Sequence, residues 1–199
     1  MKNKLTKGQK ILVATHNKGK ASEFKKLFLE LNIKTIFSYE LGISEPEENG
    51  NSFKGNSIIK AKSALNKGLT VISDDSGLCV TALNGEPGIY SARWAKKYGG
   101  WMGAMEKIYK KLIKKNVADF SAKYYCCLTM AWQDGNIYSY SGQISGTLVW
   151  PPRGESGFGY DPFFIPVNSK ISFGEMEQEK KMKMDHRYNA FKKIIKNHL

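Results

Sequence analysis

The first 75 residues alternate between strand-like and helix-like hydrophobic patterns, and this alternation restricts the fold more than any other feature. Runs of β-branched and apolar residues at KILVAT, Lys34 to Phe37 and LTVIS predict three buried strands. Apolar residues at helical spacing between them predict helices over roughly Ala21 to Leu31 and over SFKGNSIIKAKSALNKG. Strands that alternate with helices pack as a sheet flanked by helices, so the chain is predicted to be an α/β protein.

The rest of the chain predicts that this sheet is extended by further strands. FSAKYYCCLTMAW and NIYSYSGQISGTLVW are long β-type runs joined by QDG, which is typical of a hairpin. A helix is predicted over Trp101 to Lys115, and a last helix begins near Asp185, a residue type that caps helices well. Repeats, low-complexity segments and linkers are not found. The sequence therefore predicts one domain over residues 1–199.

The charge balance indicates an anionic partner. Lys plus Arg number 31 against 18 Asp plus Glu, a net charge of +13, which suits nucleic acid, a nucleotide or a membrane surface. Only Arg93, Arg153 and Arg187 are arginines, and their planar fork makes them candidates for directed recognition. The three cysteines lack metal-type spacing, and no apolar run is long enough to span a bilayer, so a reducing cytoplasm is predicted.

The motif THNKGK lies between a predicted strand and a predicted helix. Backbone N–H groups at a helix N-terminus carry partial positive charge and suit phosphate oxygens. Asn17 can fix the turn, while Lys18 and Lys20 add positive charge. The pattern also fits a solvated turn with surface lysines, so on its own it only favours a phosphate site.

Two adjacent carboxylates, Asp74 and Asp75, follow the predicted strand LTVIS and are expected at its carboxyl end. Open α/β sheets place ligand sites at this edge, and adjacent acids repel unless a cation or a shared proton relieves them. Mg²⁺ is a suitable cation because it prefers oxygen ligands and bridges carboxylates to phosphates. Glu45, Glu47 and Glu48 form a second acidic cluster. The alternative is a turn cap with solvated glutamates.

A third group combines GFGYDPFF with MDHRYNAF. Phe158 or Tyr160, on a Gly-rich loop, can stack on a base. His186 and Arg187 can donate hydrogen bonds, which suits the 6-keto oxygen of a purine and rejects the 6-amino group of adenine. Ordinary core packing is the alternative for the aromatic residues, and it is favoured for Phe163 and Phe164 over Phe158.

Five motifs in this order resemble the inosine triphosphate pyrophosphatase family: THNKGK, EENGNSFKGNSIIKA, SDDSGLCVTALNGEPGIYSARWA, FGYDP and DHR. The resemblance runs from KILVATHNKGK to the C-terminal helix. It implies a mixed α/β sheet with flanking helices, in two lobes around a central cleft, and usually a homodimer. It also implies Mg²⁺-dependent hydrolysis of dITP, ITP and XTP to the monophosphate and pyrophosphate, which clears deaminated purines from the nucleotide pool.

The resemblance also implies a role for each matching residue. Asp75 would be the proton acceptor, Glu47 and Asp75 would bind magnesium, and Asp74 would be a helper. The residues implied to hold the triphosphate are Thr15, His16, Asn17, Lys18, Gly19, Lys20, Ser76 and Lys181, with Lys60 as a further candidate. The residues implied to hold the base are Phe158, Gly159, Tyr160, Asp161, His186 and Arg187.

Two positions depart from the family pattern. Asp185 stands where the family commonly has serine, and the extra negative charge could retune Arg187, although aspartate also caps helices. Gly55 precedes Asn56 where the family often has glutamate, so an acid near the metal site is missing and the number of metal ions stays open.

Two other functions remain as alternatives. A nucleic-acid-binding module is favoured by the net charge and the aromatic content, but the clustered acids would repel a phosphate backbone in the absence of metal. A pyrophosphatase for modified pyrimidine triphosphates is disfavoured by the His-Arg pair and FGYDP. The predicted partner is therefore a purine nucleoside triphosphate, without a stable nucleic-acid complex and without a membrane.

Overall fold

The computed structural model describes residues 3–199, which fold into six strands and six α-helices with short 3₁₀ turns between them. The strands are β1 Lys10–Ala14, β2 Lys34–Phe37, β3 Thr70–Val80, β4 Ser121–Ala131, β5 Ile137–Leu148 and β6 Phe164–Pro166. The α-helices are α1 Lys18–Leu29, α2 Phe53–Ala64, α3 Ser91–Lys97, α4 Trp101–Lys114, α5 Gln178–Met182 and α6 His186–His198. No helix among the described residues is both long and apolar enough to cross a membrane.

The six strands form one sheet in the order β2-β1-β3-β4-β5-β6. β1 pairs in parallel with β2 on one side and with β3 on the other. β5 and β6 are antiparallel, from Gly146 opposite Pro166 to Leu148 opposite Phe164. The prediction of a mixed α/β sheet with flanking helices is confirmed.

Local sequence signals explain the first two helices. α1 begins at Lys18, three residues before the predicted start, because the Asn17 side chain accepts a hydrogen bond from the Lys20 N–H at 3.0 Å and caps the helix. Ser52 caps α2 in the same way, accepting from the Gly55 N–H at 3.1 Å. A 3₁₀ turn follows α2, and Gly68 ends it with φ of 70°, a conformation that glycine adopts without strain.

The prediction that Asp74 and Asp75 end a strand is wrong. β3 continues through both carboxylates to Val80. Its parallel pairing with β1 does end just before them, where Ala14 lies opposite Ser73. The strand continues because β4 is its neighbour on the other side and keeps its backbone groups paired. The acids therefore follow the end of the β1 ladder but lie within a longer strand.

The chain divides into two compact units. Unit 1 comprises the described residues up to Asp75 together with Cys126–Gly142 and Asn189–Leu199, and unit 2 comprises Ser76–Tyr125 and Gln143–Tyr188. Each unit has an apolar core of its own, one built on β1, α2 and the start of β3, the other on α4, β4 and the aromatic residues around Phe163. The single catalytic domain over residues 1–199 stays a prediction.

Candidate active site

The alternation of side chains along β3 directs its two carboxylates to opposite faces of the strand. On one face, Val71 packs in an apolar cluster with Ala61 of α2, and Ser73 Oγ donates to the Ser57 carbonyl at 2.5 Å. Asp75 continues this series and therefore faces α2. Asp74 faces the other way and has different hydrogen-bond partners, although, in addition to burial, its negative charge contributes to raising the pKa of Asp75. The sequence predicted that a cation or a shared proton relieves the repulsion between the two acids.

Asp74 is held by a cation and a thiol within unit 1. Its carboxylate is 1% exposed and forms an ion pair with the Lys20 ammonium. The Cys126 thiol donates to the second carboxylate oxygen, with Sγ 3.1 Å from Oδ2. Such contacts compensate the burial of a charge, and they fix the first turn of α1 against the middle of β3.

Asp75 lies on the α2 side and is 5% exposed. Its Oδ2 accepts from Asn56 Nδ2 at 3.1 Å, and its Oδ1 lies 3.5 Å from Lys60 Nζ. Burial raises the pKa of Asp75 above its ordinary value, although the charges of Lys60 and Lys20 oppose that change. A carboxylate of raised pKa is a better proton acceptor at neutral pH than an ordinary aspartate.

Lys60 connects Asp75 to the acidic loop. Its ammonium lies 2.5 Å from Glu48 Oε1 and 3.5 Å from Asp75 Oδ1, so two carboxylates converge on one positive charge. Burial alone would lower the pKa of Lys60, but Asp75 and Glu48 raise it above its ordinary value, and the side chain stays charged. Lys60 is 6% exposed, which makes this a largely desolvated cluster.

The donor chemistry of this cluster fits Mg²⁺. The carboxylates of Glu48 and Asp75, which both approach the Lys60 ammonium, are hard oxygen donors. Mg²⁺ commonly takes one or two protein carboxylates and completes its shell with water and substrate phosphates. Among residues 3–199 no group of three or more His, Cys, Asp or Glu side chains is arranged to hold a metal ion. Glu47, implied as a ligand by the family resemblance, is exposed, and its neighbour Glu48 is the glutamate that contacts Lys60.

The turn Thr15 to Lys20 has its polar groups partly engaged. Thr15 Oγ1 accepts from the Asn17 N–H at 3.2 Å, and Asn17 caps α1. His16 Nε2 donates to the Ile43 carbonyl at 2.8 Å, which ties the turn to the segment before the acidic loop. Lys18 is exposed and Gly19 is half-buried. The turn therefore has the fixed geometry that a phosphate site at a helix N-terminus needs.

In unit 2, Asp161 is the centre of the base-binding group implied by the resemblance. Its Oδ2 accepts from Lys181 Nζ at 2.7 Å and from the Phe158 N–H at 2.8 Å, and its Oδ1 accepts from Tyr124 Oη at 3.3 Å. The Lys181 ammonium also lies 4.8 Å from the centroid of the half-buried Phe158 ring. Gly157, with φ of +78°, has no room for a Cβ, which would fall 2.1 Å from Asp161 Oδ2. The loop is thus closed tightly around a buried ion pair.

His186 and Arg187 begin α6, and each is held by a partner within unit 2. The His186 ring stacks on Tyr124, with centroids 4.7 Å apart and planes 8° from parallel. Arg187 is 1% exposed, and its Nη2 donates to Ser76 Oγ at 3.3 Å. Asp185 Oδ1 accepts from the Tyr188 N–H at 2.8 Å, so its predicted capping role is confirmed.

Tyr160 belongs to the core of unit 2. It is buried, its ring packs edge-on against Trp101 with centroids 5.1 Å apart, and its hydroxyl donates to the Ser91 carbonyl at 3.2 Å. Burial raises the pKa of Tyr160 well above its ordinary value. Phe163 is buried as predicted, which leaves Phe158 as the half-buried aromatic residue of this loop.

Sequence reasoning missed three residues that contact the predicted site residues. Asn56 contacts Asp75, Cys126 contacts Asp74, and Tyr124 contacts both Asp161 and His186. Along the chain, Asn56 is 19 positions from Asp75, Cys126 is 52 positions from Asp74, and Tyr124 is 37 positions from Asp161. The sequence showed Asn56 near the start of a predicted helix, but it carried no information about the partner of this side chain.

Known proteins resemble this chain over nearly its whole length. The model of the Ham1 family matches residues 11–197, a range that includes all five motifs named above. A dITP/XTP pyrophosphatase from Zymomonas mobilis subsp. mobilis is 43% identical over 188 residues, which cover 94% of this chain and 90% of that protein.

Solved structures give the same result for the fold. The Staphylococcus aureus Ham1 protein superposes with a TM-score of 0.81 at 36% identity and covers 93% of this chain and 95% of its own. A HAM1 protein from Coxiella burnetii gives a TM-score of 0.84 at 32% identity, with coverage of 94% and 96%. From its sequence and its fold alike, the chain belongs to the Ham1 family.

Proposed function

We propose that this protein hydrolyses deaminated purine nucleoside triphosphates (dITP, ITP and XTP) to the monophosphate and pyrophosphate. The ordered motifs and the name carried by its relatives, dITP/XTP pyrophosphatase, support this activity. The observation that carries the proposal is the environment of Asp75. It is a buried carboxylate of raised pKa, held by Asn56 and lying beside a charged lysine.

In this proposal the triphosphate binds to the group of residues in unit 1. The N-terminus of α1 and the charge of Lys18 supply positive potential for phosphate oxygens. Lys60, whose pKa is raised, remains protonated and can contact a phosphate. Asp75 and Glu47 would hold Mg²⁺, with Glu48 as a further carboxylate at the same loop. When bound, Mg²⁺ neutralises charge on the phosphates and polarises the phosphorus under attack.

Asp75 performs the proton transfer in this scheme. Its carboxylate takes a proton from water as the water oxygen attacks phosphorus, and the bond linking the α- and β-phosphates breaks to release pyrophosphate. Asn56 fixes the orientation of the carboxylate, because its amide donates to one carboxylate oxygen. Phosphoryl transfer depends mainly on such positioning and on electrostatic stabilisation.

The base is assigned to the group of residues in unit 2. Phe158 would stack on the purine, and His186 and Arg187 would donate to its 6-keto oxygen. The contacts of Lys181 with Asp161 and the Phe158 ring support a role beneath the base-binding loop, in place of the phosphate contact implied by the resemblance. Purines with a 6-amino group would leave these donors without acceptors, which costs on the order of 1–3 kcal/mol per buried group.

The direct test compares dITP with dATP in the presence of Mg²⁺, following pyrophosphate release. We expect kcat/KM for dITP to exceed that for dATP by roughly 10- to 100-fold, the range that one unmatched buried polar group supports. Equal values would refute the assignment of the base readers, and absence of turnover with dITP, ITP and XTP would refute the enzymatic function.

Arg187→Ala is expected to reduce the ratio of kcat/KM for dITP to kcat/KM for dATP by about 10-fold, and to lower kcat for dITP by a smaller factor. The reason is that the arginine is proposed to contact the base and not the phosphorus under attack. The ratio of kcat/KM values for the two substrates checks this. Arg153→Ala controls for the loss of one arginine charge, because Arg153 is partly exposed and pairs with Glu175. An unchanged ratio in a folded Arg187→Ala protein would contradict the assignment.

Three finer features belong to the same proposal. Mg²⁺ is the proposed cofactor, and its omission is expected to abolish pyrophosphate release. A homodimer, implied by the family resemblance, would be measured by analytical ultracentrifugation. The cytoplasm, where the nucleotide pool is used, is the proposed location, and a stable complex with nucleic acid is not expected.

A further inference from the structure

The side chain of Asn56 touches two parts of the acidic cluster at once. Asn56 is 0% exposed and lies in the first turn of α2. Its Nδ2 donates to Asp75 Oδ2 at 3.1 Å, and its Oδ1 accepts from the Gly50 N–H at 2.9 Å. Gly50 follows closely after the acidic residues of the loop, so one amide group joins this loop to β3.

The orientation of the Asn56 amide is fixed by the chemistry of its partners. A backbone N–H can only donate, so the oxygen of Asn56 must face Gly50. The Asp75 carboxylate accepts, so the nitrogen must face Asp75. Asparagine satisfies both partners because it carries an acceptor and a donor on one short side chain, and it places no second negative charge beside Asp75.

Gly50 is adapted to this contact. A Cβ at residue 50 would lie 2.6 Å from Asn56 Oδ1 and 3.0 Å from the Asn56 backbone nitrogen. A side chain at this position would therefore push the loop away from α2, or displace the Asn56 amide. The close approach of the loop and the bridging amide depend on each other.

We infer that Asn56 is a positioning residue that holds the acidic loop of Glu47 and Glu48 at a fixed place relative to Asp75, and so shapes the carboxylate set that receives the divalent cation. The inference rests on the proposed function for its metal assignment and goes beyond it by naming the residue that assembles the metal site. Outer partners of metal ligands commonly contribute about 10- to 100-fold to metal affinity, which is the range expected here.

The test measures cation binding directly, without substrate. Mn²⁺ is titrated into the wild-type protein and into Asn56→Ala, Gly50→Ala and Ser57→Ala, with free Mn²⁺ followed by electron paramagnetic resonance. Ser57 is the matched control, because it is equally buried in the same turn of α2 but its hydroxyl contacts Thr129 and the Lys54 carbonyl. Circular dichroism and thermal melting report whether each variant is folded.

We expect Asn56→Ala and Gly50→Ala to weaken Mn²⁺ binding by about 10- to 100-fold, and the Ser57→Ala protein to bind as the wild type does. Unchanged affinity in folded Asn56→Ala would overturn the inference, and so would a loss in Ser57→Ala as large as that in Asn56→Ala. If Asn56→Ala does not fold, Gly50→Ala decides, and unchanged affinity there overturns the inference.

The outcome is separable from that of the proposed function. A wild-type protein that does not hydrolyse dITP, ITP or XTP, but whose Mn²⁺ affinity depends on Asn56, would refute the function and support the positioning role. Normal hydrolysis of dITP by the wild type, together with unchanged Mn²⁺ affinity in Asn56→Ala and Gly50→Ala, would support the function and refute the positioning role.

Discussion

Asp75→Asn is expected to lower kcat for dITP hydrolysis by about 10²–10⁴-fold, the usual loss when a general base is removed, and by more if metal binding is lost as well. The substitution keeps the shape of the side chain and removes its ability to accept a proton. Steady-state pyrophosphate release with saturating Mg²⁺ measures the effect. With Mg²⁺ saturating, KM is expected to change much less than kcat, since the residues proposed to bind the phosphates and the base are untouched.

The same variant is expected to melt at a higher temperature than the wild type when Mg²⁺ is absent. Burial raises the pKa of Asp75 above its ordinary value of 3.8, so the folded protein disfavours the charged form. Between the ordinary and the raised pKa the folded state binds more protons than the unfolded chain, and stability falls as pH rises through that window. The amide of the variant carries no charge, so above the window the variant lacks the destabilising contribution. The slope of Tm against pH should be correspondingly smaller.

Glu106→Gln is the control, since it removes one negative charge from the exposed face of α4. Wild-type kcat and Tm are expected for it. A kcat for Asp75→Asn within about tenfold of the wild type would show that the proton is accepted elsewhere. A lower Tm at neutral pH would show that the contacts of Asp75 with Asn56 and Lys60 outweigh the burial of its charge.

Lys181→Met is expected to reduce the free energy of unfolding by about 3–5 kcal/mol, the usual cost of breaking a buried ion pair. Lys181 and Asp161 side chains are 2% and 3% exposed, so the remaining carboxylate cannot be hydrated. In a chain of this length the loss corresponds to a decrease in Tm of roughly 6–20 °C. Denaturant unfolding and calorimetry measure it. KM for dITP should also rise, because Asp161 holds the Phe158 backbone and Lys181 lies against its ring.

Two further variants separate charge pairing from loss of packing. Lys180→Met, at the adjacent exposed position of α5, should change stability by less than about 0.5 kcal/mol. The double variant Asp161→Asn/Lys181→Met should recover part of the loss, because the unpaired carboxylate is gone. A double variant no more stable than Lys181→Met alone would indicate that the ion pair is not the cause.

Sequence patterns predicted the elements that depend on nearby residues. β1 and β2, the helices α1 and α2, the turn fixed by Asn17 and the cap Asp185 follow from spacing and from contacts within three or four positions. The family resemblance rests on motifs of this local kind, and it is confirmed by the match to the Ham1 family over residues 11–197.

The length of β3 and the separation of its two acids were not predicted. The strand LTVIS was predicted to end at the two acids, but β3 is extended by its pairing with β4, which begins more than 40 positions later. The motif SDDSG suggested one shared cation site, whereas alternation along the strand gives Asp74 the Lys20 ammonium and Asp75 the partners Asn56 and Lys60.

The sequence by itself therefore determined the α/β class, the family and the short segments that carry the chemistry. The tertiary structure alone decided which buried polar group meets which partner: Cys126 with Asp74, Tyr124 with Asp161, and Lys181 beneath Phe158. The physical reason is that helix and strand periods and caps arise from interactions between near neighbours in the chain. A buried donor or acceptor must instead be satisfied by whatever packing brings next to it, and its partner can lie anywhere in the sequence.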